Sequence, residues 1–186
     1  MWQEVANHLV RRPHEALMLS GPTGCGKTHG IGLLGPHLHR DVYELNATST
    51  GSSEQLKIWL REVGTAKTLL GERMIIVDDI EGLDERLLDV LLQATKGRAE
   101  GMAPLILVCV DPWIERLRAF RALTRYQLRR PRLQTMIDWA RHDGCARAVA
   151  DAVLRHHALR AEGDLRQLKM RLKVRLCPST LDSTLD

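Results

Sequence analysis

The sequence has few aromatic residues: one of its 186 residues is phenylalanine, two are tyrosine and four are tryptophan. Proteins that hold single-stranded nucleic acids by base stacking interleave aromatic and basic residues, and this chain has no such interleaving. It also lacks a run of about 18 uncharged apolar residues, so we predict no membrane-spanning helix. The N-terminus has no basic segment ahead of an apolar one, which argues against a secretory signal.

Paired cysteines are absent as well. The four cysteines lie at positions 25, 109, 145 and 177 and never occur as Cys-x-x-Cys. This spacing fits neither a zinc site nor a disulfide scaffold, and it predicts a reducing, intracellular compartment, the nucleus if the source is eukaryotic. The adjacent histidines His156 and His157 lack a second cluster of ligands, so we interpret them as a solvated helical pair rather than a metal site.

The charges are unevenly distributed along a chain that is otherwise of ordinary composition, 44% hydrophobic and 27% charged. Residues 1–110 contain 11 Lys and Arg against 14 Asp and Glu, whereas residues 111–186 contain 16 against 9. A basic half suggests a polyanionic partner, with nucleic acid as the first candidate. A well-solvated surface explains the same composition equally well.

Apolar runs that alternate with helical patterns predict an α/β fold with a parallel sheet covered on both faces. The runs that predict strands lie at residues 15–20, 41–45, 74–77 and 105–110. Beyond Pro131 only helical spacing occurs, in three stripes. We therefore predict an α/β core at residues 1–132, a small three-helix unit at 133–177 and a polar tail at 178–186.

A phosphate-binding pattern follows the first predicted strand directly. The pattern G-x-x-x-x-G-K-[ST] is matched without a gap by Gly21, Pro22, Thr23, Gly24, Cys25, Gly26, Lys27 and Thr28. Its glycines let successive backbone N–H groups point at phosphate oxygens, Lys27 reaches the β- and γ-phosphates, and the Thr28 hydroxyl ligates Mg²⁺. Because Gly30, Gly32, Gly35 and Pro36 weaken a helix, we expect the helix after this loop to be short or kinked near Gly35.

A second acidic feature ends the third predicted strand. Ile75-Ile76-Val77 is followed by Asp78 and Asp79, and a buried strand of this kind delivers Asp78 to hold Mg²⁺ beside the phosphate loop. Asp79 lies where many such ATPases use glutamate to polarise the attacking water. Aspartate is one methylene shorter, and a misplacement of about 1 Å can cost about 100-fold in rate.

Four segments in this order resemble clamp-loader ATPases of the AAA+ class, most closely the large subunit of replication factor C. They are Tyr43-Glu44-Leu45-Asn46-Ala47-Thr48, Ile76-Val77-Asp78-Asp79-Ile80-Glu81-Gly82-Leu83, Leu128-Arg129-Arg130-Pro131-Arg132 and Gly163-Asp164-Leu165-Arg166-Gln167. The resemblance implies a RecA-like core, a three-helix lid, and ATP with Mg²⁺ bound between them. It also implies that Arg166 senses the γ-phosphate from the lid. The partners it implies are other clamp-loader subunits, a sliding clamp and primer–template DNA.

The sequence departs from that family in several places. Cys109-Val110-Asp111 stands where an asparagine usually orients water, and the S-R-C segment that carries an arginine finger in the small subunits has no counterpart. The family's N-terminal adenine-binding segment and C-terminal collar are also not matched, which suggests a minimal, divergent or truncated relative, with a virus among the candidate sources. These departures keep a non-hydrolysing structural subunit open as an alternative, and a small-molecule kinase as a weaker one.

The basic stretch between Arg116 and Arg132 contains seven arginines. Such a stretch can line a DNA channel through phosphate contacts, which need no base readout. We therefore take Arg125 and Arg129 as candidate DNA-binding residues, with a solvated face as the alternative.

Overall fold

The computed structural model describes residues 1–46, 51–65, 72–96, 98–146 and 149–176. Ala47 and Thr48 of the first family-like segment, Cys177 and the predicted tail lie outside the described residues. The described helices are α1 (Trp2–Arg11), α2 (Lys27–His37), α3 (Ser53–Thr65), α4 (Glu85–Lys96), α5 (Leu133–His142), α6 (Asp151–Arg160) and α7 (Leu165–Leu176). The described strands are β1 (Leu17–Ser20), β2 (Arg40–Asn46), β3 (Glu72–Asp78), β4 (Leu105–Cys109) and β5 (Thr124–Gln127). Short 3₁₀ helices lie at Ile80–Gly82 and Glu115–Phe120.

The five strands form one sheet in the order β2-β3-β4-β1-β5, and every pair is parallel. Strands β1 and β4 are buried along their whole length, and β3 is buried over its apolar centre, residues 74–77, as expected for strands covered on both faces. Their register aligns Leu17 with Ile106 and Ile76 with Ile106, so the carboxyl ends of β1, β3 and β4 lie at the same edge. This edge is where open parallel sheets bind ligands.

The chain divides into two compact units. The αβ unit contains residues 1–22 and 27–128, and the helical unit contains Thr23–Gly26 together with Arg129–Asp186. The division follows Leu128, and the boundary predicted from the sequence follows residue 132. The four central residues of the phosphate-binding pattern, however, belong with the helical unit, which no sequence pattern indicated.

Helix α2 extends through Gly35 to His37 and includes Pro36 in its last turn. Two of its glycines are explained by close neighbours: a Cβ at Gly30 would overlap the Trp2 ring, and one at Gly35 would overlap Val42 Cγ2. The glycines that reduce helix propensity therefore allow α2 to approach α1 and β2 closely.

Two elements of the αβ unit were not predicted. Strand β5 has the sequence Thr-Arg-Tyr-Gln, lies at the edge of the sheet and is only partly buried, so it has no apolar run that would mark it. Helix α1 does carry a signal, since Val5, Ala6 and Leu9 are buried on one face at helical spacing.

Candidate nucleotide-binding site

The predicted phosphate loop lies between the end of β1 and the start of α2. Gly21, Gly24 and Gly26 have φ angles of 150°, 68° and 94°, and the last two lie in the left-handed region that favours glycine. The Gly21 N–H is shared between the carbonyl oxygens of Cys109 and Val110, at 3.2 Å each. The loop therefore starts against the end of β4 and has the tight backbone that the pattern requires.

The Lys27 ammonium lies over the beginning of the loop. Its Nζ donates to the carbonyl oxygens of Gly21 and Pro22 at 2.6 and 3.1 Å. Lys27 is the first residue of α2, so its charge adds to the positive end of the helix dipole. This arrangement places a cation beside the backbone of the loop.

Thr28 and Asp78 come together although they are 50 positions apart in sequence. The Thr28 hydroxyl donates to Asp78 Oδ2 at 2.5 Å, and Asp78 Oδ1 accepts the Asp79 N–H at 2.9 Å. Asp78 is the last residue of β3, which places its carboxylate at the ligand-binding edge of the sheet. A hydroxyl and a carboxylate oxygen are ligands that Mg²⁺ prefers, so this pair fits the predicted metal site.

Asp79 has an unusual backbone. It adopts the left-handed conformation, with φ 57° and ψ 45°, and starts the 3₁₀ helix Ile80–Gly82. Its side chain is exposed. The predicted role in orienting water therefore falls on a short carboxylate attached to a sharply turned backbone.

Glu81, to which the sequence patterns assigned no role, forms a hydrogen bond at the end of β4. Glu81 Oε1 accepts the Val110 N–H at 2.6 Å, just after the strand ends at Cys109. Asp111 Oδ1 accepts the Trp113 N–H at 2.9 Å, so that carboxylate is engaged in its own turn. Glu81 lies within a segment quoted for the family resemblance, but only the folded chain shows that it joins the two strand ends.

Two pKa shifts describe the electrostatics of this edge. The pKa of the Cys109 thiol is raised to about 12, mainly by burial and then by Glu81, while the Lys27 ammonium acts in the opposite direction. The pKa of Glu44 is raised, first by partial burial and second by the Asp78 carboxylate. Glu44, near the end of β2, thus adds a second negative charge near Asp78 that a bound cation would stabilise.

The box that contains Arg166 lies in the helical unit. Arg166 is the second residue of α7, and its side chain is exposed. Just before it, the Leu165 N–H donates to the Gly24 carbonyl at 2.8 Å. Of the other predicted loop residues, Cys25 is buried, Pro22 is half-buried and Thr23 is exposed.

Most of the basic stretch is engaged with the protein itself. Arg116 donates to the carbonyl oxygens of Glu81, at 3.0 Å, and Leu83. Arg121 donates to the Trp113 carbonyl at 2.9 Å, and the Arg125 guanidinium lies 4.3 Å from the Trp113 ring centroid in a cation–π contact.

Arg129, in contrast, is exposed. The two candidate DNA-binding arginines therefore differ: Arg125 stacks on an aromatic ring, whereas Arg129 extends into solvent.

Two features are absent from the described residues. No group of three or more His, Cys, Asp or Glu side chains is placed there to hold a metal ion. The helices described are also all too short or too polar to cross a membrane.

The fold resembles those of several solved structures. A variant of RuvB from Thermotoga maritima matches it with a TM-score of 0.71 at 16% identity, covering 92% of this chain and 58% of that one. Orc1 of Aeropyrum pernix in complex with DNA matches it with a TM-score of 0.69 at 19% identity, covering 93% and 57%. The parallel sheet, its strand order and these neighbours define the fold of AAA+ P-loop ATPases.

Sequence comparison gives a more specific relationship, although no family model matches the chain. The replication factor C large subunit of Methanopyrus kandleri is 27% identical over 172 residues, which is 81% of this chain and 34% of that protein. The same subunit of Nanoarchaeum equitans is 29% identical over 125 residues, 64% of this chain and 28% of that protein. The Xenopus laevis chromosome transmission fidelity protein 18 homolog is 28% identical over 140 residues, 62% and 14% respectively.

This chain is a divergent AAA+ relative of the replication factor C large subunit. It spans about a third or less of the length of these three relatives.

Proposed function

We propose that this chain is the ATP-binding AAA+ module of a clamp-loader-like replication assembly, of the large-subunit type. The observation that carries the proposal is the convergence of Thr28 and Asp78, at 2.5 Å, next to a loop over which Lys27 lies. The similarity to replication factor C large subunits supports this assembly over the others that use the fold.

Each part of the candidate site has its own role in binding Mg-ATP. The loop backbone binds phosphate oxygens, Lys27 neutralises the β- and γ-phosphates, and Thr28 and Asp78 hold Mg²⁺. When bound, Mg²⁺ neutralises phosphate charge that develops during transfer. Asp79 orients the attacking water, and Arg166 responds to the γ-phosphate.

We expect the isolated chain to hydrolyse ATP slowly. Its carboxylate at position 79 is short, and an arginine finger supplied by a neighbouring subunit can contribute about 10³–10⁵ in rate. Steady-state phosphate release should stay well below about 1 s⁻¹, the low end of typical turnover, with Lys27→Ala as the blank. Faster turnover by the monomer would contradict this expectation.

The sliding clamp, the partner subunits and primed DNA belong to the proposal and need their own test. Purification from the native source, followed by identification of co-purifying proteins, should yield small-subunit ATPases of the clamp-loader type. Recovery of the chain without any such ATPase would contradict the assembly assignment.

DNA binding through Arg125 and Arg129 predicts a salt dependence. Each phosphate contact contributes a slope of about −0.9 in log K against log salt for duplex DNA. The double variant Arg125→Ala/Arg129→Ala should flatten that slope by up to about 2, measured by fluorescence anisotropy on primed DNA. Arg155→Ala, an exposed arginine of α6, is the control. An unchanged slope in the double variant would mean that these arginines form a solvated or subunit-facing surface.

A non-hydrolysing structural subunit is the second candidate. It is favoured by the left-handed backbone at Asp79 and by Val110 directly after β4, since the valine side chain cannot orient water by hydrogen bonding. Turnover assays with and without primed DNA, in the presence of the partner subunits, separate the two. Stimulation by DNA supports the ATPase, whereas ATP binding without turnover under all conditions supports the structural subunit.

A further inference from the structure

Position 24 carries a glycine that the G-x-x-x-x-G-K-[ST] pattern does not require. Its φ of 68° is one reason for glycine. The second reason is that the space beside it is occupied by Asp164, a residue of the helical unit. A Cβ built at Gly24 would overlap the Asp164 carboxylate. The neighbouring Leu165 N–H donates to the Gly24 carbonyl at 2.8 Å, and a Cβ at Gly26 would lie 3.6 Å from Leu165 Cδ1. The loop therefore contacts the start of α7 in two ways: its backbone accepts a hydrogen bond, and its glycines leave room for the side chains of Asp164 and Leu165.

The segment that contacts Gly24 is itself held firmly. Glu162 and Gly163 have φ angles of 48° and 85°, and the Arg130 Nη1 donates to the Glu162 carbonyl at 2.8 Å. Asp164 then caps α7, because its Oδ1 accepts the Gln167 N–H at 2.8 Å. A carboxylate fixed by a helix cap is a defined surface against which a loop can rest.

We propose that Asp164 is a positioning residue for the phosphate loop, so that the helical unit sets nucleoside triphosphate affinity through the backbone at Gly24. In this role Asp164 needs no contact with the nucleotide. Its fixed side chain limits where the loop can lie, and the Leu165–Gly24 hydrogen bond holds the loop at that limit. The inference rests on the proposed function, since it concerns the same loop, but it is separate from the charge effect proposed for Arg166.

The test is a double-mutant cycle on the full chain, read by calorimetric titration with Mg-ATP and with a non-hydrolysable analogue. In Gly24→Ala the new methyl group disfavours the positive φ and overlaps Asp164, so the loop must move. The affinity for Mg-ATP should therefore fall about tenfold. Asp164→Gly removes the carboxylate but leaves a residue that helix N-caps tolerate. Combined with it, Gly24→Ala should cost at least about threefold less than it does alone, as expected for residues in contact.

The chain offers a matched control in Asp84. Its Oδ1 accepts the Leu87 N–H at 2.8 Å and caps α4, the same geometry as at Asp164 but in the αβ unit. Asp84→Gly should lower stability toward urea to a similar extent, because it weakens an equivalent cap. Its effect on affinity should be small, and it should leave the cost of Gly24→Ala unchanged.

The outcomes separate this inference from the proposed function. If the unmodified chain binds Mg-ATP and the effects of Gly24→Ala and Asp164→Gly simply multiply, the positioning role is wrong while nucleotide binding stands. If Asp84→Gly relieves Gly24→Ala as well as Asp164→Gly does, the effect is one of general stability and the inference is overturned. If the unmodified chain binds no Mg-ATP, both proposals fail. Relief by Asp164→Gly alone supports the inference.

Discussion

The αβ unit and the helical unit are built from different kinds of core. In the αβ unit, large side chains from three adjacent strands are completely buried, among them Leu17, Ile76 and Leu107. Among the described residues of the helical unit, eight form its buried core, and four of these are alanines: Ala140, Ala146, Ala158 and Ala161. Small side chains bury little area, so close helix packing and polar contacts must stabilise the helical unit.

These polar contacts lie at the surface of the helical unit. Arg141 pairs with Asp151, and Lys169 pairs with Asp143 at 2.9 Å. Exposed ion pairs contribute about 0–1 kcal/mol each. From this difference we expect the αβ unit, which presents Lys27, Thr28 and Asp78 at strand and helix ends, to be the more rigid one. The helical unit, which contains the middle of the phosphate loop, we expect to be the more adaptable one.

The largest expected effect tests the rigidity of the sheet. Leu107→Ala lies in β4, the strand between β1 and β3. Core Leu→Ala changes lower the free energy of unfolding by about 2–5 kcal/mol, and this one should fall in the upper half of that range, because a strand paired on both sides cannot move to close the cavity. Leu168→Ala, equally buried in the helical unit, should fall in the lower half, since helices can shift inward. Urea denaturation gives both values, and equal losses would remove the distinction between the units.

A second prediction compares one cation from each unit. Lys27→Ala should weaken Mg-ATP binding about ten- to a hundredfold, because it removes a charge-assisted contact of about 1.5–3 kcal/mol. Arg166→Ala should weaken it by less than about fivefold, since an exposed charge is screened by solvent. Calorimetry on both variants decides the order. Unchanged ATP affinity in Lys27→Ala would disprove the phosphate-loop assignment.

The alanine core makes a third prediction. Ala140 is fully buried between helices, so Ala140→Leu should destabilise the chain by about 1–3 kcal/mol through overpacking. Ala152→Leu places the same side chain on the exposed face of α6 and should change stability by less than about 0.5 kcal/mol. Thermal denaturation checks the pair, and a neutral Ala140→Leu would show that the helical core is loosely packed.

The smallest effect is a pH dependence in the αβ unit. His8 is buried against Tyr126, and burial lowers its pKa below the ordinary histidine value of 6.5. The folded chain thus favours neutral His8, and its contribution to stability is complete above pH 6.5 and is lost as the pH falls below it. His8→Gln should reduce the stability difference between about pH 7.5 and about pH 5.5, measured by urea denaturation. His142→Gln, an exposed control, should leave that difference in place.

Sequence patterns were sufficient wherever a local rule determines structure. The apolar runs around Leu19, Ile76 and Leu107 predicted the central strands. The acidic end of the third strand led us to expect Asp78 beside the phosphate loop, and the Thr28 hydroxyl lies 2.5 Å from Asp78 Oδ2. The residues that patterns missed act through distant partners. Glu81 fastens Val110 across 29 positions, Arg116 bonds carbonyls 33 and 35 positions away, and Gly24 meets Asp164. No local spacing encodes such contacts, because they depend on how separate elements are brought together.

The backbone at Asp79 limits how this chain can evolve. Asparagine, aspartate and glycine enter the left-handed region most readily, whereas longer and branched side chains do so at a greater cost. A single change of Asp79 to the glutamate of related ATPases would lengthen the carboxylate but place it on a backbone less suited to it. Glu162, with a φ of 48°, shows that this chain accommodates a glutamate in the left-handed region, so such a change at position 79 would cost stability without being excluded.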